Sequence, residues 1–174
     1  MKKKKEYLLI VGANIELVEF YIEAKKMGLN IIGIDKNPNS VAFRHADKKI
    51  ISSTRNTDAA VKKVLEFSKK NKIIGVATSS HDVPFTLAKI AKTLNLKSIS
   101  IKNALIASDK RKMKDFFIEN KLSTSKYFLC KSFKEFSKKK IKLPIIIKPV
   151  DGRGSRGVTY HENLYQIKWA LNYA

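Results

Sequence analysis

The chain has 174 residues, 44% hydrophobic and 29% charged, long enough for one full domain or for one domain and part of another. No apolar run approaches the roughly 20 residues of a bilayer span, and the lone Cys130 excludes an internal disulfide framework and fits a reducing, cytoplasmic setting. The 36 basic residues against 15 acidic ones give a formal charge of +21, but only five are arginine, and the lysines are scattered over nearly every helix and turn. That pattern reads as solvated faces that attract anionic ligands, not as the compact basic stripe of a nucleic-acid surface.

Met1 to Lys5 is a basic tail, and the apolar run after it, Tyr7 to Val11, is too short for a signal-peptide core. That run reads as a strand buried on both faces, ending at Gly12. Leu17, Val18, Tyr21 and Ile22 recur at helical spacing, with Gly28 as the stop. Asn30 to Ile34 is a second strand, closed by Asp35 and the turn Asn37-Pro38-Asn39-Ser40. Ile50-Ile51 is a short third strand, and Thr57-Asp58 opens a helix with Ala60, Val61, Val64 and Leu65 on its apolar face. Ile73 to Ala77 is another buried strand, leading into Thr78-Ser79-Ser80-His81-Asp82. Pro84 then falls in the first turn of a helix that buries Leu87, Ile90, Ala91 and Leu94. Ser98 to Ile101 is expected as a fifth short strand. Strand and helix alternate throughout, so residues 1–107 read as an α/β domain with a mostly parallel sheet.

From residue 108 the rhythm changes. Ser108-Asp109 caps a helix with Met113, Phe116 and Phe117 on its face. Tyr127 to Cys130 reads as a strand, with the thiol packed, and Ser132 to Lys139 as a short amphipathic helix built on Phe133 and Phe136. A strand from Leu143 to Pro149 precedes the glycine-rich loop Asp151-Gly152-Arg153-Gly154-Ser155-Arg156-Gly157. A strand from Val158 to Tyr160 and a helix from Glu162 finish the segment.

The chemistry concentrates in Ile145 to Val158, IIIKPVDGRGSRGV. A charged lysine at the end of a hydrophobic strand calls for an anionic partner. The glycines behind it let the backbone present N–H groups to a phosphate. This is not a P-loop, in which the lysine follows the glycines and enters a helix. From the residues alone, a phosphate clamp and a flexible hairpin with surface charges both remain open. In the first domain, Gly12 and Asn14 follow the first strand without Gly-x-Gly-x-x-Gly spacing, and Asp35 is either a strand cap or a ligand contact. Ser79, Ser80 and Asp82 stand at a strand's carboxyl end, where open α/β sheets bind ligands, or else cap the next helix. His45 and His81 form no metal-ligand pattern with Cys130, and no metal site is expected in the chain.

Lys148-Pro149 followed by the Gly-Ser-Arg-Gly turn resembles the nucleotide signature of the ATP-grasp ligases, the superfamily of biotin carboxylase and carbamoyl-phosphate synthetase. Asp109-Lys110 opening a helix resembles its second marker. The resemblance implies a Rossmann-like pre-ATP-grasp domain (1–107), followed by an incomplete α+β ATP-grasp subdomain (108–174). It implies that Lys110 and Lys148 hold ATP phosphates, under a lid of Gly152, Gly154, Ser155, Arg156 and Gly157. Gly12, Asn14, Asp35, Ser79, Ser80 and Asp82 are then candidate substrate contacts. The reaction implied is ATP-dependent activation of an unidentified carboxylate through an acyl-phosphate, captured by an amine or thiol. The residues that bind Mg2+ and stabilise the acyl-phosphate lie beyond this segment in the family. The chain is therefore expected to be truncated and inactive alone, completed by a C-terminal companion chain or by a homo-oligomer. A non-catalytic small-molecule-binding or partner subunit of a split ligase is the second reading, and a basic nucleic-acid-binding domain the third.

Overall fold

The computed structural model describes residues 5–80 and 82–174. The basic tail up to Lys4 and His81 lie outside the described residues. Contacts divide the chain into two compact units, Met1–Leu105 and Ile106–Ala174.

The first unit is built on a four-stranded, all-parallel sheet of β1 (Glu6–Val11), β2 (Ile31–Asp35), β3 (Lys48–Ile51) and β4 (Lys72–Ala77), in the order β3-β2-β1-β4. β1 sits in the middle, paired with β2 from Leu8↔Ile31 to Val11↔Ile34 and with β4 from Glu6↔Lys72 to Ile10↔Ala77. Alternation along β1 then decides which core each side chain joins. Tyr7, Leu9 and Val11 pack with Ala60 and Val64 of α2 (Thr57–Ser68) and Ile90 of α3 (Pro84–Thr93). Ile10 points the other way, to Leu17, Val18, Tyr21 and Ala24 around α1 (Val18–Lys26) and to Phe43. With helices on both faces, the sheet is the α/β arrangement expected from the sequence. Each fully buried Leu or Ile contributes roughly 1.5–3 kcal/mol.

Local signals set the helix ends. Asn56 caps α2, its side chain accepting from Ala59 N at 3.1 Å, and Pro84 occupies the first turn of α3. Gly28 ends α1 at φ +75°, a backbone conformation that suits glycine.

Several expectations fail here. Ser98 to Ile101 is not a strand: Ser100 accepts from Asn103 N at 3.0 Å and from Ala104 N at 2.9 Å, turning the chain into helix α4 (Ile101–Ser108) and leaving Ile99 48% exposed. The sheet therefore has four strands instead of five. β4 lies at its edge, and only Ile73 of that strand is buried, not the whole run. In α2, Leu65 is exposed although it shares the apolar face of Val64. In α3, Thr86 and Ala88 are buried while Leu87 and Leu94 are only half-buried.

The second unit carries α5 (Lys110–Glu119), α6 (Phe133–Ser137), an antiparallel hairpin of β5 (Ile145–Ile147) and β6 (Thr159–His161), and α7 (Ile167–Tyr173). Its core is Phe136, Ile147, Ile167 and Ala170. Phe133 is exposed but stacks on Phe136 at 6.2 Å between centroids. Met113, Phe116 and Phe117 mark the apolar face of α5, yet no α5 residue is buried. Tyr127 to Cys130 is not a strand. β5 ladders only with β6, and the segment is held by side chains instead: Tyr127 Oη donates to Asp115 Oδ1, and Cys130 Sγ donates to Ser132 O. The first hairpin strand is shorter than the sequence suggested, the second is displaced by one residue at the same length, and α7 starts five residues after Glu162.

Candidate nucleotide-phosphate site

In the second unit, the two markers that lie farthest apart in sequence come together. Asp109 caps α5, accepting from Lys112 N at 2.9 Å, which places Lys110 at the first helical position. Its backbone N–H is one of the orphan donors of a helix start. It donates to Val150 O at 2.9 Å, just ahead of the glycine-rich loop. The Lys110 ammonium donates to Gly152 O, inside the loop. One residue thus holds the approach to the loop at Val150 and the loop itself at Gly152, 42 positions away in the chain.

Lys148 differs from the expectation. It follows β5 by one residue and is exposed, so it carries no buried charge needing a partner. The physical reason is the short ladder: β5 ends at Ile147, and Pro149 has no N–H with which to extend it.

The loop glycines divide by what surrounds them. A Cβ added at Gly152 would run into the Pro149 ring, and one added at Gly157 (φ +70°) would lie 3.2 Å from the same ring. Gly154 (φ +58°) has open space around its Cα, and Ser155 next to it also adopts a left-handed conformation (φ +56°). Arg156 N donates to Arg153 O at 3.3 Å and Val158 N to Ser155 O at 3.2 Å. The loop therefore has feet packed on Pro149 and a tip, Gly154-Ser155, with bare backbone. In the sequence, Pro149 stands out only as part of the Lys-Pro pair, not as the surface on which the loop glycines pack, and Val150 was passed over. The signal was present in the Lys-Pro pair, because a proline ring next to a glycine-rich stretch needs glycines to pack against.

The first unit has its own candidate edge. In a parallel sheet all strands end on one side, so Gly12, Asn14, Asp35, Ser79 and Ser80 share the carboxyl edge. Asp35 acts as a cap on two loops: Oδ2 accepts from Ala13 N at 2.9 Å and Oδ1 from Asn37 N at 3.0 Å. Gly12 (φ +96°) donates to Ile34 O and accepts from the buried Tyr21 hydroxyl at 2.8 Å. Burial, and then the Asp35 charge, push that hydroxyl far above the usual phenol range. Asn14 donates to Glu16 through Nδ2 at 3.2 Å, while its Oδ1 is buried with no partner. Thr78 Oγ1 braces the edge by donating to Val11 O at 2.8 Å. Ser79, Ser80 and Asp82 are exposed, and α3 is capped by Val83 without a side-chain bond.

Among the described residues, no group of three His, Cys, Asp or Glu side chains converges as metal ligands. The Nε2 of His45 accepts from the neighbouring Arg44, at 3.0 Å. A polar cleft of about 320 Å³, lined by Tyr160, His161, Glu162, Asn163, Tyr165 and Gln166, touches none of the expected phosphate residues. No helix among the described residues is long and apolar enough to cross a membrane.

No family model matches the chain. It is 27% identical over 164 residues to the formate-dependent phosphoribosylglycinamide formyltransferase of Shewanella frigidimarina, covering 90% of this chain and 39% of that protein. The crystal structure of a phosphoribosylglycinamide synthetase from Anaerococcus prevotii superposes with a TM-score of 0.68 at 26% identity, over 98% of this chain and 42% of that one. The L-amino acid ligase of Bacillus licheniformis shares the fold, with a TM-score of 0.78 at 22% identity over 99% of this chain and 42% of that one. The chain thus spans about two fifths of the length of these relatives.

Proposed function

We propose, on the premise that this chain is homologous to the leading part of the ATP-grasp enzymes, that it supplies the phosphate side of the ATP site in a carboxylate–amine or carboxylate–thiol ligase. The observation that carries this reading is the double hold of Lys110 on the glycine-rich loop and its approach. A cation and a bare backbone meet there as a polyphosphate tail requires. In this reading the front domain is 1–107 and the ATP-side segment 108–174. Lys110 and Lys148 contribute positive charge to the phosphates, and Gly154, Ser155 and Arg156 at the loop tip close over them. At about 4 Å, a unit charge pair is worth roughly 4 kcal/mol at an effective dielectric near 20. The exposed Lys148 falls well below that figure, because water and salt screen it.

ATP, when bound, supplies the phosphoryl group that turns the carboxylate into an acyl-phosphate. This chain's residues bind and orient the phosphates and restrict water near them. The described residues do not fit a divalent-metal site. In the complete enzyme the ligands of Mg2+ come from elsewhere. The front edge around Gly12, Asn14, Asp35, Ser79, Ser80 and Asp82 is the platform for the carboxylate substrate, in a soluble cytoplasmic enzyme. The chain alone binds ATP weakly and turns over nothing, and a C-terminal companion chain or a homo-oligomer restores activity.

Calorimetric titration of the chain with ATP tests this. Weak binding lost on adding salt and reduced by Lys110→Ala supports it. ATP affinity indifferent to both changes, or steady ATP hydrolysis by the chain alone, refutes it.

A further inference from the structure

The loop that would cover the phosphates is not free at its base, and one ammonium does the holding. Lys110 Nζ donates to Gly152 O, while the same residue's N–H donates to Val150 O at 2.9 Å. Gly152 is tied on its other side by the Pro149 ring, which leaves no room for a Cβ there. Residues 149–152 are therefore anchored to the start of α5, and Gly154 beyond them has no atom within 4 Å of a Cβ built on it. The residue expected to meet the phosphates is thus already engaged, on the carbonyl of the loop itself.

We infer that Lys110 is the positioning residue of this loop, and that nucleotide phosphate and the Gly152 carbonyl compete for its ammonium. Loop release and phosphate capture are then one exchange. The ammonium carries three donors but has one location. A carbonyl offers a partial negative charge, whereas a phosphate oxygen offers a full one, so the Coulomb attraction of the ammonium to the phosphate is the larger. An arriving triphosphate draws Lys110 away and frees Gly152 O. With no phosphate present, the loop returns to its anchored position. The tether follows from geometry alone, while the identity of the competing anion rests on the ATP reading above.

The test is the carbonyl ¹³C resonance of Gly152 in the labelled full chain, which moves upfield when its hydrogen bond is lost. Lys110→Met is expected to move it upfield, with the amide spectrum of residues 5–80 unchanged as a control for folding. Lys110→Arg, which keeps a cation, is expected to leave it near the parent position. Inorganic triphosphate at millimolar concentration is expected to shift the parent resonance the same way and Lys110→Met no further, with triphosphate affinity about tenfold lower in that variant. An unmoved resonance in Lys110→Met overturns the tether. A resonance that moves in the variant but not when calorimetry shows triphosphate bound to the parent overturns the exchange. If calorimetry shows no triphosphate binding to a parent whose tether is intact, the exchange and the ATP reading fail together.

Discussion

Gly33, in the middle of β2, is the position where a single methyl group tests the packing of the first unit. A Cβ there would collide with the Tyr21 hydroxyl and lie 2.8 Å from Phe43 Cε1. Both rings are fully or almost fully buried, so neither can swing into solvent. Overpacking a close-packed core by one methyl costs about 1–3 kcal/mol. Displacing the Tyr21 hydroxyl also weakens its bond to Gly12 O and leaves both buried groups less well satisfied, at a cost of about 1–2 kcal/mol. Gly33→Ala should therefore destabilise the unit by about 2–5 kcal/mol. Tyr21→Phe alone should cost about 1–2 kcal/mol, because it removes the bond without crowding anything. Urea denaturation followed by circular dichroism measures both, and the double variant completes a cycle. Because the worst clash is with the oxygen that Tyr21→Phe deletes, the double variant should be clearly more stable than the sum of the singles predicts. Additivity within about 0.5 kcal/mol would refute the assignment of the clash to the hydroxyl.

Asn56→Ala removes the cap of α2 and should cost about 1 kcal/mol, read as a lowered denaturation midpoint with an unchanged slope. Gly152→Ala should push the loop off Pro149, costing about 1–3 kcal/mol by overpacking, whereas Gly154→Ala meets no atom and should show only the smaller backbone penalty of a left-handed residue. Comparative thermal melts of the two variants check the contrast. Burial raises the Asp47 carboxyl, but bonds from the Lys25 ammonium and Ile31 N–H outweigh it and hold the group below its ordinary 3.8. A depressed folded pKa gives stability that is present above the unfolded value and lost as pH falls through the folded one. Stability should therefore decline below about pH 4 partly through this group. Asp47→Asn should be less stable at pH 7 and show a flatter decline under acid, by denaturation at successive pH values.

What the sequence revealed follows from which interactions are local. The continuous apolar run of β1, the proline at the start of α3, Gly28 and the Asp109 cap each declare themselves within a few residues, and all appear as expected. Ser98 to Ile101 and Tyr127 to Cys130 have strand-like alternation, but a strand also needs a partner, and alternation does not say whether one exists. The serine at 100 found a helix start instead. Lys148 was read as buried because isoleucines precede it, yet the ladder ends one residue too early to enclose it. The Asp109-Lys110 and glycine-loop markers were legible as motifs. Their meeting was not, because a contact across 42 residues leaves no periodic trace.

Asp35 closes two turns with one carboxylate, accepting from Ala13 N and Asn37 N. The loops after β1 and β2 are consequently yoked, and a ligand arriving at that rim encounters them as a single rigid lip. Both oxygens already have partners, so removing this side chain would loosen the lip before it removed any ligand contact. On the proposed function, loss of activity in an Asp35 variant would be a symptom of broken scaffolding. On the same proposal, the neighbouring Asn14, whose buried Oδ1 has no donor, is the position at that rim where a substitution would speak to recognition.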